Sequence, residues 1–309
     1  MIYRPAIDSD KDQIFDFCKN TFEWGDYIQE VWDCWINEKD SLLLVAETMD
    51  AILSVKKIVA MIHGKLCHKN MIWVEGIRVH PEYREKGIAS SLIKNIITYG
   101  KDKGATLASL IVSIDNIESR KLMEKLDFNP VSRWIYASIK GVKNIHEYCH
   151  IIKRADIKDQ ERIYNYLTGS KYTRYVNAWR WYILTSHDLF RLINNGQIYF
   201  FDDQNIRGIV IIDITDFWNG QDNFRIVYLD GDSKEIISSM LEYCISVFYN
   251  YNNYYTQRDK KEQKDRFETK EIRNERVQIF CPDTDFNFSV LSDQKKEYFT
   301  KLILYDKEI

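Results

Sequence analysis

Proline and glycine are scarce in this chain, four and twelve in 309 residues, and long apolar runs are missing altogether. No stretch reaches the roughly 18–20 consecutive apolar residues that cross a membrane. The opening MIYRPAIDSDKDQ is charged at once and lacks the apolar core of a signal peptide. The expectation is a cytoplasmic chain with no membrane partner. Charge of one sign is also absent. With 43 basic and 46 acidic residues the net charge is −3, which carries no basic signature for nucleic acid. The six cysteines (Cys18, Cys34, Cys67, Cys149, Cys244, Cys281) form no C-x-x-C pair, and His146 and His150, four apart, have no third ligand beside them. Reduced, mostly buried thiols and no metal site are expected.

What is present is ordinary globular material: 45% apolar and 29% charged residues. A chain of this length suits two domains of about 150 residues each. In the first half, Ile14, Phe15, Phe17, Cys18 and Phe22 fall at helical spacing behind Ser9 or Asp10 as cap. Ile28, Val31, Trp32, Trp35 and Ile36 predict a second helix. Residues 42–47, 57–66 and 72–80 read as strands, the last stopped by Pro81. An amphipathic helix over 88–100, a strand over 107–115, a helix over 117–126 and a strand over 131–139 follow. Helices alternating with strands imply an α/β layer structure.

The second half opens the same way. YRPAIDSDKDQIFDF near residue 3 is echoed by IKRADIKDQERIYNY near residue 152: a short strand, an acidic turn, then an apolar-periodic helix. A hairpin over 197–214, strands over 224–231, 277–281 and 301–306 and a helix over 233–248 complete it. The expected organisation is two similar modules, 1–145 and 146–309. Mixed charge over 258–276 suits a solvated helix or long loop better than a nucleic-acid patch.

The stretch that carries chemistry is VEGIRVHPEYREKGIASSLIKNII (74–97). A strand leads into Arg84-Glu85-Lys86-Gly87-Ile88-Ala89, which opens straight into the amphipathic helix. Small Gly87 and Ala89 let backbone approach a ligand closely. The free N–H groups and dipole of a helix N-terminus favour phosphate, and Arg84 and Lys86 add charge. A plain tight turn is the competing reading. The order of residues fits neither a P-loop nor the Rossmann fingerprint.

Arg84 through Ala89 match [QR]-x-x-G-x-[GA], and Val79 through Arg84 match V-x-P-x-[YF]-[QR]. Downstream, Asn116 through Phe128 follow N-x-x-[SA]-x-x-L-Y-E-K-x-G-F with two departures, Met123 for Tyr and Asp127 for Gly. On these two motifs, in order and about thirty residues apart, the first 140 residues resemble the GNAT superfamily of N-acetyltransferases. The resemblance implies a central mixed, mostly antiparallel sheet flanked by helices, and acetyl-CoA as cosubstrate without a metal. It implies that Ile77, Arg78 and Val79 pair with the pantetheine arm and that a backbone N–H here, at Val79, polarises the thioester carbonyl. It implies further that Glu85, Lys86, Gly87, Ile88, Ala89 and Ser90 cradle the diphosphate, and that Asn116 and Ser119 touch the coenzyme.

Glu75 sits where many relatives carry a general base, and strict alternation would put it on the face of Ile77 and Val79; a simple salt bridge is the alternative. Met123 cannot protonate the leaving thiolate as the usual Tyr does. Asp127 is expected to adopt the left-handed conformation of the usual Gly. Trp24, Asp26 and Tyr27 fall where relatives build the acceptor wall, and could offer aromatic rings and a carboxylate to a cationic amine; packing and helix capping compete. In the second half, YLDGDSKEIISSML (228–241) replaces the phosphate loop, and Asp230 and Asp232 would repel phosphate. A degenerate module is implied, shaping the acceptor pocket or an interface, with YVNAWRWYILT (175–185) as core packing or as an element reaching across. The expected function is acetyl transfer to a primary amine of a small molecule. A protein N-terminal or lysine acetyltransferase, a non-catalytic acyl-CoA sensor and a homodimeric state stay open.

Overall fold

A computed structural model describes the chain except residues 20, 22–24, 50–54, 69, 141–150, 214–223, 247–275 and 295. Trp24, Cys149, His146, His150, the domain boundary placed near 145 and nearly all of the charged run at 258–276 lie outside the described residues.

The described residues form two compact units. One comprises Met1–Val131 together with Ile303–Ile309; the other is drawn from Ser132–Phe217 and Gln221–Leu302. A single cut near residue 145 would assign the last seven residues to the second unit, whereas they complete the sheet of the first.

In the first unit, β1(Ile2–Pro5), β2(Ser41–Met49), β3(Lys56–Cys67) and β4(Met71–Val79) form an antiparallel run in that order. Next comes β5(Leu107–Ser113), parallel to β4. The end of β14(Lys296–Glu308) lies beyond β5. There Ile309 N–H donates to the Thr106 carbonyl at 2.9 Å and Ser109 Oγ to Asp306 Oδ1 at 2.6 Å. Against one face pack α1(Lys11–Cys18) and α2(Ile28–Asn37), through Ile14, Val31, Trp32 and Trp35 onto Leu43, Val45, Ile58 and Met61. The other face is covered by α3(Ile88–Asp102) and α4(Ile117–Lys125). Ile88, Leu92, Ile93 and Ile96 are all buried there, each contributing on the order of 1.5–3 kcal/mol by leaving water.

The second unit repeats the local start. Ala6 N–H bonds the Leu43 carbonyl and Asp10 accepts from Ile7 N–H at 2.9 Å; Ala155 N–H bonds the Ile198 carbonyl and Asp159 accepts from Asp156 N–H at 3.0 Å. Ile14 and Ile163, each eight residues after the alanine of its turn (Ala6 and Ala155), are both fully buried. The strands β7(Ile152–Arg154), β10(Ile198–Asp203), β11(Asn205–Asp213) and β12(Arg225–Gly231) run antiparallel in that order, and β13(Arg276–Pro282) lies parallel to β12. On its other side β13 pairs with β6(Asn129–Lys140). Helices α5(Gln160–Gly169), α6(Ser186–Asn194), α7 (234–246) and α8(Asp285–Asp293) complete the unit.

Residues 175–185 form most of the hairpin β8(Arg174–Asn177) and β9(Arg180–Ile183), with Tyr175, Val176 and Trp181 buried as core. Helices α6 and α8 went unread in the sequence. The capping box of Thr185 and Asp188 and the Thr284 cap were their signals. No helix among the described residues is long and apolar enough to cross a membrane.

Candidate active site

The strands β4 and β5 pair only over Met71–Trp73 with Leu107–Ser109, after which β4 runs on without that partner to Val79. A bulge lies in this free stretch: Glu75 faces His63 and Arg78 faces Met61, so Gly76 and Ile77 together oppose Ile62. Gly76 makes it possible, with φ +66 and Trp35 ring carbons 2.5 and 2.6 Å from where a Cβ would stand. The bulge overturns the expected alternation. Ile77 and Val79 pack toward α3, whereas Glu75 turns to the α2 side beside His63, whose ring stacks on Trp35. His80 N–H bonds the Val59 carbonyl at 2.8 Å. By the alternation of an antiparallel ladder, the N–H and C=O of Ile77 and Val79 then point to the open edge.

The turn after β4 is shaped by two left-handed residues, Glu85 at φ +61 and Gly87 at φ +76. Gly87 precedes α3, and nothing lies within 4 Å of a Cβ placed there. Among the described residues, no backbone N–H from Glu85 to Ser90 has an acceptor; the first α3 bond is Ser91 N–H to the Gly87 carbonyl at 3.0 Å. Six donors around open space at a helix N-terminus fit a diphosphate in both geometry and charge. Arg84 reaches the Val79 carbonyl at 3.4 Å and Lys86 the Glu82 carbonyl at 2.8 Å, so the two cations flank the turn. His80 sits at its start, held below the ordinary imidazole range by burial and by the Lys57 charge.

Asn116 and Ser119 come together as a helix cap: Asn116 Oδ1 accepts the Ser119 N–H at 3.0 Å at the start of α4. Met123 is buried in the core between α3, α4 and the sheet. Asp127 takes the expected left-handed conformation at φ +58. The Asp127 and Phe128 N–H groups close the helix on Glu124 and Met123.

On the acceptor side, Asp26 is already engaged. Arg78 Nε and Nη2 donate to its two oxygens at 2.6 and 3.0 Å, and Ile28 N–H to Oδ1 at 3.2 Å. Tyr27 lies under the Arg78 guanidinium, 5.1 Å from ring centroid to carbon, and burial pushes its phenol up, so it stays protonated at neutral pH. Among the described residues, Glu75 also lies on this side, bonded by His63 and Trp73, with Glu38 on the far side of the His63 ring. Sequence reading missed His63 and Glu38 because only folding brings residues from β3 and the end of α2 to β4.

In the second unit, the turn after β12 is closed. A Cβ on Gly231 would meet Ile237 at 3.0 Å and Ile236 at 3.2 Å, and Asp232 is paired with Arg207 at 2.8 Å.

Residues 11–128 match the acetyltransferase (GNAT) family model. No curated protein matches the chain. A GCN5-related N-acetyltransferase from Sphaerobacter thermophilus is similar in structure, at 14% identity, TM-score 0.61, 99% of this chain and 95% of that one. A Thermoplasma acidophilum protein classed as an acetyltransferase is similar at 15% identity, TM-score 0.57 and 100% of both chains. At such identities the likeness is one of fold. The family uses acetyl-CoA, and with its motif-bearing turn, its splayed strands and the family match in agreement, this chain carries a GNAT acetyltransferase domain over residues 11–128 and is an acyltransferase.

Proposed function

We propose that the chain transfers the acetyl group of acetyl-CoA to the primary amine of a small molecule. The observation that carries this reading is the ring of acceptor-free N–H groups from Glu85 to Ser90 around open Gly87, set at the end of the free edge of β4. Those N–H groups would hold the diphosphate, with Arg84 and Lys86 adding charge. The outward-pointing backbone of Ile77 and Val79 would pair with the pantetheine amides as an added strand does. The Val79 N–H would donate to the thioester carbonyl oxygen, where negative charge develops. Asn116 and Ser119 stand at the α4 cap, where they would bound the coenzyme. When bound, acetyl-CoA supplies an activated acyl group.

The amine must arrive at that carbonyl neutral. Glu75 would take the ammonium proton, directly or through water. Tyr27 would form part of the acceptor wall, and Asp26 would act through Arg78, because its oxygens are occupied. Met123, deep in the core, supplies no proton; a thiol with an ordinary pKa near about 8.5 leaves without one. The second unit would be a related module that holds no coenzyme: its turn is filled by Ile236 and Ile237 and flanked by acids.

Thiol release from acetyl-CoA with a panel of amines tests the reading. Turnover with free small amines is expected. Turnover with peptides alone would make the chain a protein acetyltransferase, and tight binding without turnover would make it a sensor.

A further inference from the structure

β3 carries a histidine with no exposed surface. His63 Nδ1 lies 2.9 Å from Glu75 Oε1, and the ring stacks on Trp35 with centroids 4.5 Å apart and planes 5° from parallel. A carboxylate only accepts, so a contact of this length places a proton on Nδ1. The other ring nitrogen, Nε2, is buried, makes no hydrogen bond and faces Glu38 Oε2 at 3.6 Å. The second oxygen of Glu75 accepts from Trp73 Nε1 at 3.1 Å. Behind Glu38 stands Lys65, its Nζ 3.9 Å from Glu38 Oε1 and 2.6 Å from the Lys39 carbonyl. Among the described residues, the charged groups facing the ring are Glu75 on β4 and Glu38 after α2, with Lys65 of β3 beyond; Arg78 is turned to Asp26 and Tyr27.

We propose, resting on Glu75 as the base, that His63 is its positioning residue: a buried imidazole, held flat against Trp35, whose Nδ1–H aims Glu75 and keeps it ionised. An unsupported strand glutamate would sample several rotamers, and proton transfer depends on reach and angle. Here both oxygens are held by donors, while 13% of the side chain stays exposed to an amine or a water. The Nδ1–H also favours the charged carboxylate, offsetting its partial burial. Trp35 clamps the ring plane, and a flip of the ring would lose the Nδ1–H bond to Glu75.

The test compares pH–rate profiles of His63→Leu and His63→Asn, each alone and combined with Glu75→Gln. His63→Leu is expected to lower kcat about tenfold or more and leave KM for acetyl-CoA unchanged. Its acid limb should move to higher pH, because the carboxylate has lost a donor that favoured its charged form. His63→Asn, which keeps an N–H near the Nδ1 position, should recover most of the rate. In the Glu75→Gln background, His63→Leu should cost nothing further. A His63→Leu loss equal at every pH, or a full additional loss on top of Glu75→Gln, overturns the positioning role. Wild-type rates in Glu75→Gln alone would instead remove Glu75 as the base.

Discussion

Arg78 grips Asp26 with two parallel hydrogen bonds, Nε to Oδ2 at 2.6 Å and Nη2 to Oδ1 at 3.0 Å, tying the segment before α2 to β4 just past its bulge. Only 1% of the Asp26 side chain and 12% of the Arg78 side chain is exposed. Removing one partner of such a pair strands a buried charge. Asp26→Ala should therefore cost about 3–5 kcal/mol in urea unfolding. A loss below about 1 kcal/mol would place the pair in the class of surface bridges.

Gly76 decides which way Glu75 faces. A side chain there would be strained at φ +66 and would collide with Trp35. Gly76→Ala should destabilise the chain by several kcal/mol, the sum of about 1–2 for the left-handed backbone and an overpacking cost of about 1–3. Wild-type stability by the same urea titration would show that β4 tolerates a different bulge.

The last seven residues belong to the sheet of the first unit. Ser109 donates to Asp306, Lys307 Nζ donates to the Leu126 carbonyl at the end of α4, and Ile303 and Tyr305 sit in the core with Met123. Ending the chain after Leu302 should abolish acetyl-CoA binding in calorimetry, although every residue of the phosphate turn remains. Undiminished affinity would show that the site does not need residues 303–309.

Asp230 offers a pH test. Burial holds its carboxyl above the usual range, against the pull of the Gly231 N–H and the Tyr228 hydroxyl. With the folded value above the unfolded one, the folded state binds the proton more tightly, so this group's contribution to stability falls as pH rises through the folded value. Asp230→Asn should raise the melting temperature at pH 7, and the gain should vanish in acid, below the unfolded carboxyl value. A gain equal at both pH values would assign the effect to something other than ionisation.

Much of this was legible in sequence because it is local. The helix expected over 88–100 spans Ile88–Asp102, and Asp127 adopts the left-handed cap its place after α4 demanded. The echo of residues 3–17 near 152 reappears as the same strand, turn and helix. Three features were not legible. The bulge at Gly76 breaks the period of two that was used to place Glu75, and glycine in a strand hints at a bulge without saying which neighbours change face. The ring of His63 meets Glu75 and Glu38 only through strand register and helix docking. The return of residues 303–309 to the first sheet is a pairing almost two hundred residues apart, for which KLILYD predicts a strand and nothing about its neighbour.

Every step of the proposed reaction requires the turn from Arg84 to Ser90 to grip the diphosphate of acetyl-CoA. Titration calorimetry of acetyl-CoA into the wild-type chain and into Gly87→Glu tests it most directly, because a side chain there fills empty space and meets no protein atom. Binding by the wild type and none by the variant, with the variant still folded by circular dichroism, is the predicted result. Equal affinity in the two chains would contradict it.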